Sequence, residues 1–466
     1  MLKFIINNSL IKTEAKSGMT LLHFIREEQH LKGTKSGCKE GDCGACTVLS
    51  GTLNNNAVNY ISITSCLTPL ANVQGKHIVT IEGLNLKSDL NVAQHAIAAH
   101  HATQCGFCTP GFVVSLSGLA FKPDTLSKKD SITAISGNIC RCTGYKSIEK
   151  SAHEVFSKLL ENDGQNRLDW LIENNFIPAF FKGIPEKLKQ LKISGTYKNG
   201  TLVVGGTDMY VQNADELHDK DISTLTFAES NKIEFSNSIC MIAAAATVSD
   251  LWDNTKFNYY FPLLKSFLKL VSSEAIRNMA SIGGNFVNAS PIGDMSIFFL
   301  ALDSVLIIAN NNGESREVLL RDFFKTYKTF DLRKNEVIQS ILFELPLSVG
   351  NFNFEKVSKR THLDIASVNT AITIDVYNNT ITDTHISIGG VAAIPLYLKK
   401  TREFLINKAL TTNTIKDSQE IMQSEISPIS DVRGSENYKR LLARQLYYAH
   451  FIKLFPKQFQ LKNLVS

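Results

Sequence analysis

At 466 residues the chain is too long for one compact core, and roughly two to four domains are expected. Its 49 basic and 44 acidic residues leave a net charge of +5, with both signs spread along the chain. No arginine-rich stripe with interleaved aromatics occurs, which argues against nucleic acid as a partner. The opening "MLKFIINNSLIKTE" lacks the apolar core and small-residue cleavage site of a signal peptide. No apolar run is long enough to span a bilayer. The expectation is a cytoplasmic protein without membrane contact, where grouped cysteines bind metal more often than they form disulfides.

In chain order, "KFIINNSLIKTEA" reads as a hairpin turning at Asn7-Asn8. "TLLHFIREEQ" is a short helix with Thr20 as N-cap and Leu21, Leu22 and Ile25 on one face. A glycine-rich loop with three cysteines leads into the strands "TVLSG" and "YISITSC". Four helices follow: "NVAQHAIAAHHA", "GFVVSLSGLAF", "SKKDSITAIS" and "SIEKSAHEVFSKLL". Residues 161–190 read as a linker with some helix. Strands and helices then alternate through "TLVVGG", "ICMIAAAATVSDL", "SVLIIAN" and "VIQSILFELP". A sheet with a turn at Asn378-Asn379 comes next, and helices from about Ile415 close the chain.

Eight of the nine cysteines fall between residues 38 and 142. Cys38-x4-Cys43-x2-Cys46, with Cys66 further on, is the spacing with which plant-type ferredoxins hold a [2Fe–2S] cluster. Gly37, Gly41 and Gly44 let such a loop fold over a cluster and aim N–H groups at its sulfurs. A zinc site or buried free thiols is the alternative, although structural zinc favours two C-x2-C pairs. The second set is Cys105-x2-Cys108 with Cys140-x-Cys142. Here the C-x-C pair is expected to supply both ligands of one iron and the C-x2-C pair those of the other. Zinc stays open for this set too. Cys240 reads as a core residue, and His100 and His101, adjacent on a helix, as structural.

Two glycine turns are candidate phosphate sites. "LVVGGTD" is a strand running into Gly205, Gly206, Thr207 and Asp208, where backbone N–H groups can approach an anion. "SIGGNFVNASPIGD" packs Gly283, Gly284 and Asn285 with Ser281, Asn288, Ser290 and Asp294. A third pair, in "ISIGGVAAIP", reads as a packing feature.

With "GCKEGDCGACTV", "QCGFCTPG", "GNICRCTGY", "VVGGTD", "RNMASIGGNFVNASPIGD" and "FEKVSKRTHLDIASV" on the page, the chain resembles the iron–sulfur and flavin subunits of bacterial xanthine dehydrogenases, within the molybdenum hydroxylase family. The resemblance implies a multidomain α+β chain. A plant-type ferredoxin-like β-grasp domain (1–83) and a four-helix iron–sulfur domain (84–160) come first. The linker (161–190), an α+β FAD-binding domain (191–346) and a C-terminal α/β flavoprotein subdomain (347–466) follow. Cys105, Cys108, Cys140 and Cys142 would hold the cluster nearer molybdenum, with Gln104 facing the pterin. Cys38, Cys43, Cys46 and Cys66 would hold the cluster nearer the flavin. Val204 to Asp208 and Ser281, Ile282, Gly283, Gly284 and Asn285 would wrap the FAD pyrophosphate, with Asp294 and Lys359 on the cofactor.

Two [2Fe–2S] clusters and FAD are thus implied on this chain, with NAD as acceptor. Where many relatives read "FFxGYRKT" beside the nicotinamide site this chain reads "FFKTYKTF", residues 323 to 330, which makes NAD less secure than FAD. The molybdopterin is expected on a separate large subunit, in a dimer of heterodimers. Substrate choice, xanthine or an aldehyde or N-heterocycle, would lie with that subunit; a stand-alone NADH-oxidising flavoprotein is the remaining alternative.

Overall fold

A computed structural model describes residues 1–122, 126–191, 200–224, 232–310, 312–360 and 363–465. Thr361 and His362, inside the expected flavin-domain motif, lie outside the described residues. The chain divides into two compact units, residues 1–226 with 273–280, and residues 227–272 with 281–466.

The first unit opens with the expected hairpin. Strands β1 (Leu2–Ile6) and β2 (Ser9–Thr13) are antiparallel, and Asn7 at the turn takes a φ of 54°. Alternation along β1 sends Leu2, Phe4 and Ile6 into one core and Ile5 into another, with Ile184 and Leu188. Thr20 caps α1 (Leu21–His23) through the His23 amide as expected, but the helix widens into a π-turn over Phe24–Glu28. Leu21, Leu22, Phe24 and Ile25 are all buried there. Four apolar residues in five positions are more than one narrow helical stripe can cover. Strands β3 (Thr47–Asn54) and β4 (Ala57–Thr64) run longer than their sequence signal, and the short β5 (His77–Val79) has too few residues to show periodicity. The sheet order is β2-β1-β5-β3-β4, with β1 and β5 parallel.

The four expected helices are α2 (Val92–Ala99), α3 (Thr109–Leu119), α4 (Lys128–Ala134) and α5 (Lys146–Leu159). Asn91 and Gln94 close a capping box on α2, and Pro110 sits in the first turn of α3, where its missing N–H costs nothing. Residues 161–190 do more than link. They form α6 (Arg167–Glu173) and α7 (Ile184–Lys189), and Trp170, Leu171, Phe176 and Phe181 share a core with Phe112, Leu116 and Ile148. Further on, β6 (Thr201–Leu202) and β7 (Ile222–Ser223) pair in parallel around α8 (Met209–His218). Tyr210 on α8 donates its hydroxyl to the Gly18 carbonyl at 2.6 Å. Residues 273–280 return to this unit: Glu274 pairs with Lys122 at 2.7 Å, and Met279 enters the core beside Cys46 and Cys66.

Among the described residues the second unit holds two larger sheets and a two-stranded hairpin over residues 324–330. The first, ordered β11-β10-β12-β9-β8, comprises β8 (Ile233–Ser236), β9 (Ile239–Ala243), β10 (Val305–Asn310), β11 (Ser315–Leu319) and β12 (Glu336–Glu344). Cys240 is fully buried in β9, as a core residue. Helices α9 (Val248–Asp253), α10 (Ile282–Asn288) and α11 (Asp294–Leu300) belong with this sheet in sequence. The second sheet is β13 (Phe352–Val357), β14 (Val368–Tyr377), β15 (Thr380–Gly389) and β16 (Leu396–Tyr397), with Asn378 and Asn379 both at positive φ in the turn. The closing helices begin earlier than expected: α12 (Lys399–Leu405), α13 (Thr412–Glu425) and α14 (Glu436–Leu454).

Candidate metal centres and cofactor turns

The loop over residues 37–46 is shaped by its glycines. A Cβ on Gly37 would stand 2.7 Å from the Cys43 sulfur, and Gly41 and Gly44 hold φ values of 78° and 66°. That backbone turns N–H groups onto sulfur: Cys38 donates to the Cys43 Sγ at 3.4 Å and Glu40 to the Cys38 Sγ at 3.3 Å. Cys46 and Cys66, both buried, bring their sulfurs to 3.3 Å. Cys38 shares a proton with Cys43, which draws the Cys38 thiol down to about 5 and drives Cys43 up. In the same way Cys46 is lowered and Cys66 raised. The four thiols are therefore two pairs.

In the second set the thiols that face each other belong to different motifs, whereas the sequence reading placed both C-x-C thiols on one iron. Cys142 hydrogen-bonds Cys105, which raises it, while burial and then Cys140 push Cys108 up to about 12. The C-x-C motif is split between the pairs. Tyr145, at a φ of 70°, turns its hydroxyl back to accept the Cys140 amide at 3.1 Å, and the Thr143 amide donates to the Cys140 sulfur at 3.4 Å. Cys140 is buried and Cys142 exposed on this turn. Gln104 is exposed beside the exposed Cys105. His100 bonds Glu154 at 2.6 Å, so its partner is a carboxylate.

This arrangement fits two-iron clusters. Each needs two thiolates per iron and amide donors on sulfur, and the structure supplies paired thiols and such amides. Among the described residues no three His, Cys, Asp or Glu side chains converge on one point, as a mononuclear zinc site requires.

The two glycine turns behave differently. In the first unit, Gly205 lies so close to the Met279 carbonyl that a Cβ would stand 2.0 Å from it, and Gly206 takes a φ of 79°. The strand ends at Leu202, before the turn, and the Asn72 side chain holds the Val204 carbonyl at 2.6 Å. The amides of Gly205, Gly206 and Thr207 form no hydrogen bond among the described residues. They are donors for an anion, which fits a pyrophosphate.

In the second unit the amides are already used. Ile282 donates to the Ala246 carbonyl, Gly283 to Ala244, Gly284 to the Ser281 hydroxyl and Asn285 to the Ser281 carbonyl. A Cβ on Gly283 would meet Ala244 at 2.7 Å, so this glycine serves close packing. Asn285 accepts from the Ser296 amide at 3.0 Å. Both Asp294 oxygens are engaged within the unit, one by Lys356 at 2.7 Å and the other by Asn369 at 2.6 Å. Lys359 instead reaches the Val432 carbonyl at 2.8 Å. The buried lysine beside Asp294 is Lys356, three residues before the Lys359 that the resemblance puts on the cofactor. Nothing in "FEKVSKR" marks either lysine as buried. At the hairpin 324–330, Lys328 donates to the Asn288 carbonyl and side-chain oxygens, both at 2.7 Å.

Comparison with known proteins covers most of the chain. A 2Fe-2S iron-sulfur cluster binding domain matches residues 4–71 and a [2Fe-2S] binding domain residues 80–153. An FAD binding domain in molybdopterin dehydrogenase matches residues 183–347, and a CO dehydrogenase flavoprotein C-terminal domain residues 354–454. Xanthine dehydrogenase 1 of Arabidopsis thaliana is 28% identical over 93% of this chain, and the xanthine dehydrogenase of Calliphora vicina 27% over 97%. Aldehyde oxidase 4 of Mus musculus is 25% identical over 97%. The chain spans only 38–39% of the length of these relatives. Among solved structures, a chain of carbon monoxide dehydrogenase from Hydrogenophaga pseudoflava matches 56% of this chain and 90% of its own length, with a TM-score of 0.51 and 22% identity. Quinoline 2-oxidoreductase from Pseudomonas putida 86 matches to the same extent with a TM-score of 0.50. At that identity these two share the fold.

Proposed function

The chain belongs to the molybdenum hydroxylase family as its iron–sulfur and FAD-bearing part, and we propose that it serves a xanthine dehydrogenase. In this reading electrons leave a molybdopterin site on a separate large subunit, cross the centres held by Cys105, Cys108, Cys140 and Cys142 and then by Cys38, Cys43, Cys46 and Cys66, and pass through FAD to NAD. The observation that carries it is the joint match: relatives named xanthine dehydrogenase align through both thiol sets and the flavin region over 93% or more of the chain. The assembly would be a cytoplasmic dimer of heterodimers.

Bound iron–sulfur clusters move single electrons, and a flavin joins single-electron to two-electron transfer. The chain's residues hold and tune these groups. The Glu40 and Thr143 amides donate to thiol sulfurs, which favours the more negative charge state. Burial of Cys46 and Cys66 keeps water from one pair. The open amides of Gly205, Gly206 and Thr207 would hold the FAD pyrophosphate, with Val204 and Asp208 flanking them. Within the second unit, Ser281 to Asn285 are proposed as flavin contacts shaped by close packing, and Asp294, fixed by Lys356, as a rigid polar group. Lys359 is proposed as a lesser contact.

The test is xanthine-dependent NAD reduction by the native complex purified through this chain. Turnover with a co-purifying molybdenum subunit is the expected result. No turnover with xanthine, but turnover with an aldehyde or N-heterocycle, would replace the substrate; the 25% identity to an aldehyde oxidase supports that second reading. No bleaching of the flavin by either substrate or NADH would overturn the electron-transfer route.

A further inference from the structure

Asn138 is 6% exposed, in the loop between α4 and Cys140, and both ends of its side-chain amide are used. Its Nδ2 donates to the Gly44 carbonyl at 3.0 Å, and its Oδ1 accepts from the Ser115 hydroxyl at 2.8 Å. Gly44 lies between Cys43 and Cys46. Ser115 lies on α3 about two turns beyond Cys108, on the same face as Gly111. The next residue, Ile139, donates its N–H to the Cys43 carbonyl at 3.0 Å. A Cβ on Gly44 would stand 2.5 Å from the Asn138 amide nitrogen, and one on Gly111 would stand 2.3 Å from the Gly44 carbonyl. Three segments carrying Cys43 and Cys46, Cys108, and Cys140 and Cys142 therefore meet at one carbonyl.

Resting on the iron–sulfur reading above, we propose that Asn138 is a positioning residue that fixes the separation of the two cysteine sets, so that electron exchange between the centres they hold depends on it while assembly of each centre does not. Among the described residues Asn138 makes no hydrogen bond to a thiol. Its removal leaves the Gly44 carbonyl with its Thr47 bonds, at 3.2 Å to the amide and 2.7 Å to the hydroxyl, so the first loop keeps its local turn. What is lost is the polar tie between the loops. A buried amide satisfied at both ends specifies one arrangement of its neighbours, and its loss lets them shift.

The experiment uses the full-length loaded protein with Asn138→Ala, Ser115→Ala and Ser115→Thr. Iron content and the electron paramagnetic resonance of the reduced protein report each centre; the magnetic splitting between their signals, and electron equilibration after sub-stoichiometric reduction, report their relation. Wild-type iron with both signals, but with loss of the mutual splitting and slowed equilibration in Asn138→Ala, is expected. Ser115→Ala moves both in the same direction and Ser115→Thr restores them. Unchanged splitting and equilibration in Asn138→Ala overturns the proposal, as does loss of the second signal alone with Ser115→Ala unaffected. Should Asn138→Ala not fold, unchanged splitting in Ser115→Ala overturns it. Wild-type protein with neither signal would instead overturn the iron–sulfur reading.

Discussion

Lys356 is bonded to Asp294 at 2.7 Å, and the lysine side chain is 1% exposed. It also donates to the Leu270 carbonyl at 2.7 Å, so one ammonium joins β13, the start of α11 and the end of a loop. Replacing Lys356 by Met would strand a carboxylate that only Asn369 still satisfies. Breaking a buried pair on one side costs about 3–5 kcal/mol. The expected outcome is a loss of about 3 kcal/mol in denaturant unfolding together with reduced flavin content. Lys359→Met, whose partner is an exposed carbonyl contact, changes stability little.

Gly205→Ala places a methyl group 2.0 Å from the Met279 carbonyl. The turn must open to admit it, at about 1–3 kcal/mol by analogy with overpacked cores. Flavin binding, read by absorbance after gel filtration, falls more than the stability does, because the displaced amides are the proposed anion donors. Gly283→Ala, packed on Ala244, lowers stability by a similar amount, and its flavin content follows stability alone.

The crosswise thiol pairs are open to a chemical test. In protein stripped of iron, a mild oxidant forms Cys108–Cys140 and Cys105–Cys142 bridges, and peptide mapping by mass spectrometry identifies them. Recovery of Cys105–Cys108 as the main product would contradict the pairing.

His450 is fully buried, with Nδ1 accepting from the Asn353 amide at 2.8 Å and Nε2 facing the Thr370 hydroxyl at 3.3 Å. Burial lowers it from 6.5 to about 3. The folded chain therefore binds fewer protons at this site than the unfolded chain between those values. Its contribution is fully present above the unfolded value and is lost as pH falls toward the folded one, at up to about 1.4 kcal/mol per pH unit. Unfolding midpoints of the wild type drop across that window, and those of His450→Gln drop less steeply.

Much of this was legible in the sequence where the signal is local. Eight cysteines at fixed spacings, the Asn7 and Asn378-Asn379 turns, and the four helices α2 to α5 each depend on a few neighbouring residues. What was hidden depends on distant ones. The splitting of Cys140 from Cys142 follows from the Tyr145 turn and from where α3 delivers Cys108. The occupied amides of Ile282 and Gly283 are taken by carbonyls at the end of β9, about forty residues away in sequence. Lys356 and Lys359 carry the same local composition, and only the tertiary fold buries one of them. Trp170 and Phe176, in a polar stretch, become core because α5 and α3 offer them an apolar face.

Residues 273–280 complete the first unit although the chain has by then left it for residues 227–272. During synthesis the ribosome must therefore finish a large part of the second unit's leading segment before the first unit can close over Met279 and Glu274. Until then Cys46 and Cys66 lack a neighbour of their core, and the Gly205 turn lacks the carbonyl against which it rests. The first unit reaches its full set of core contacts only once residues 273–280 have been made. Closure around the earliest cysteines and translation of Met279, more than two hundred residues downstream, become events on one timetable.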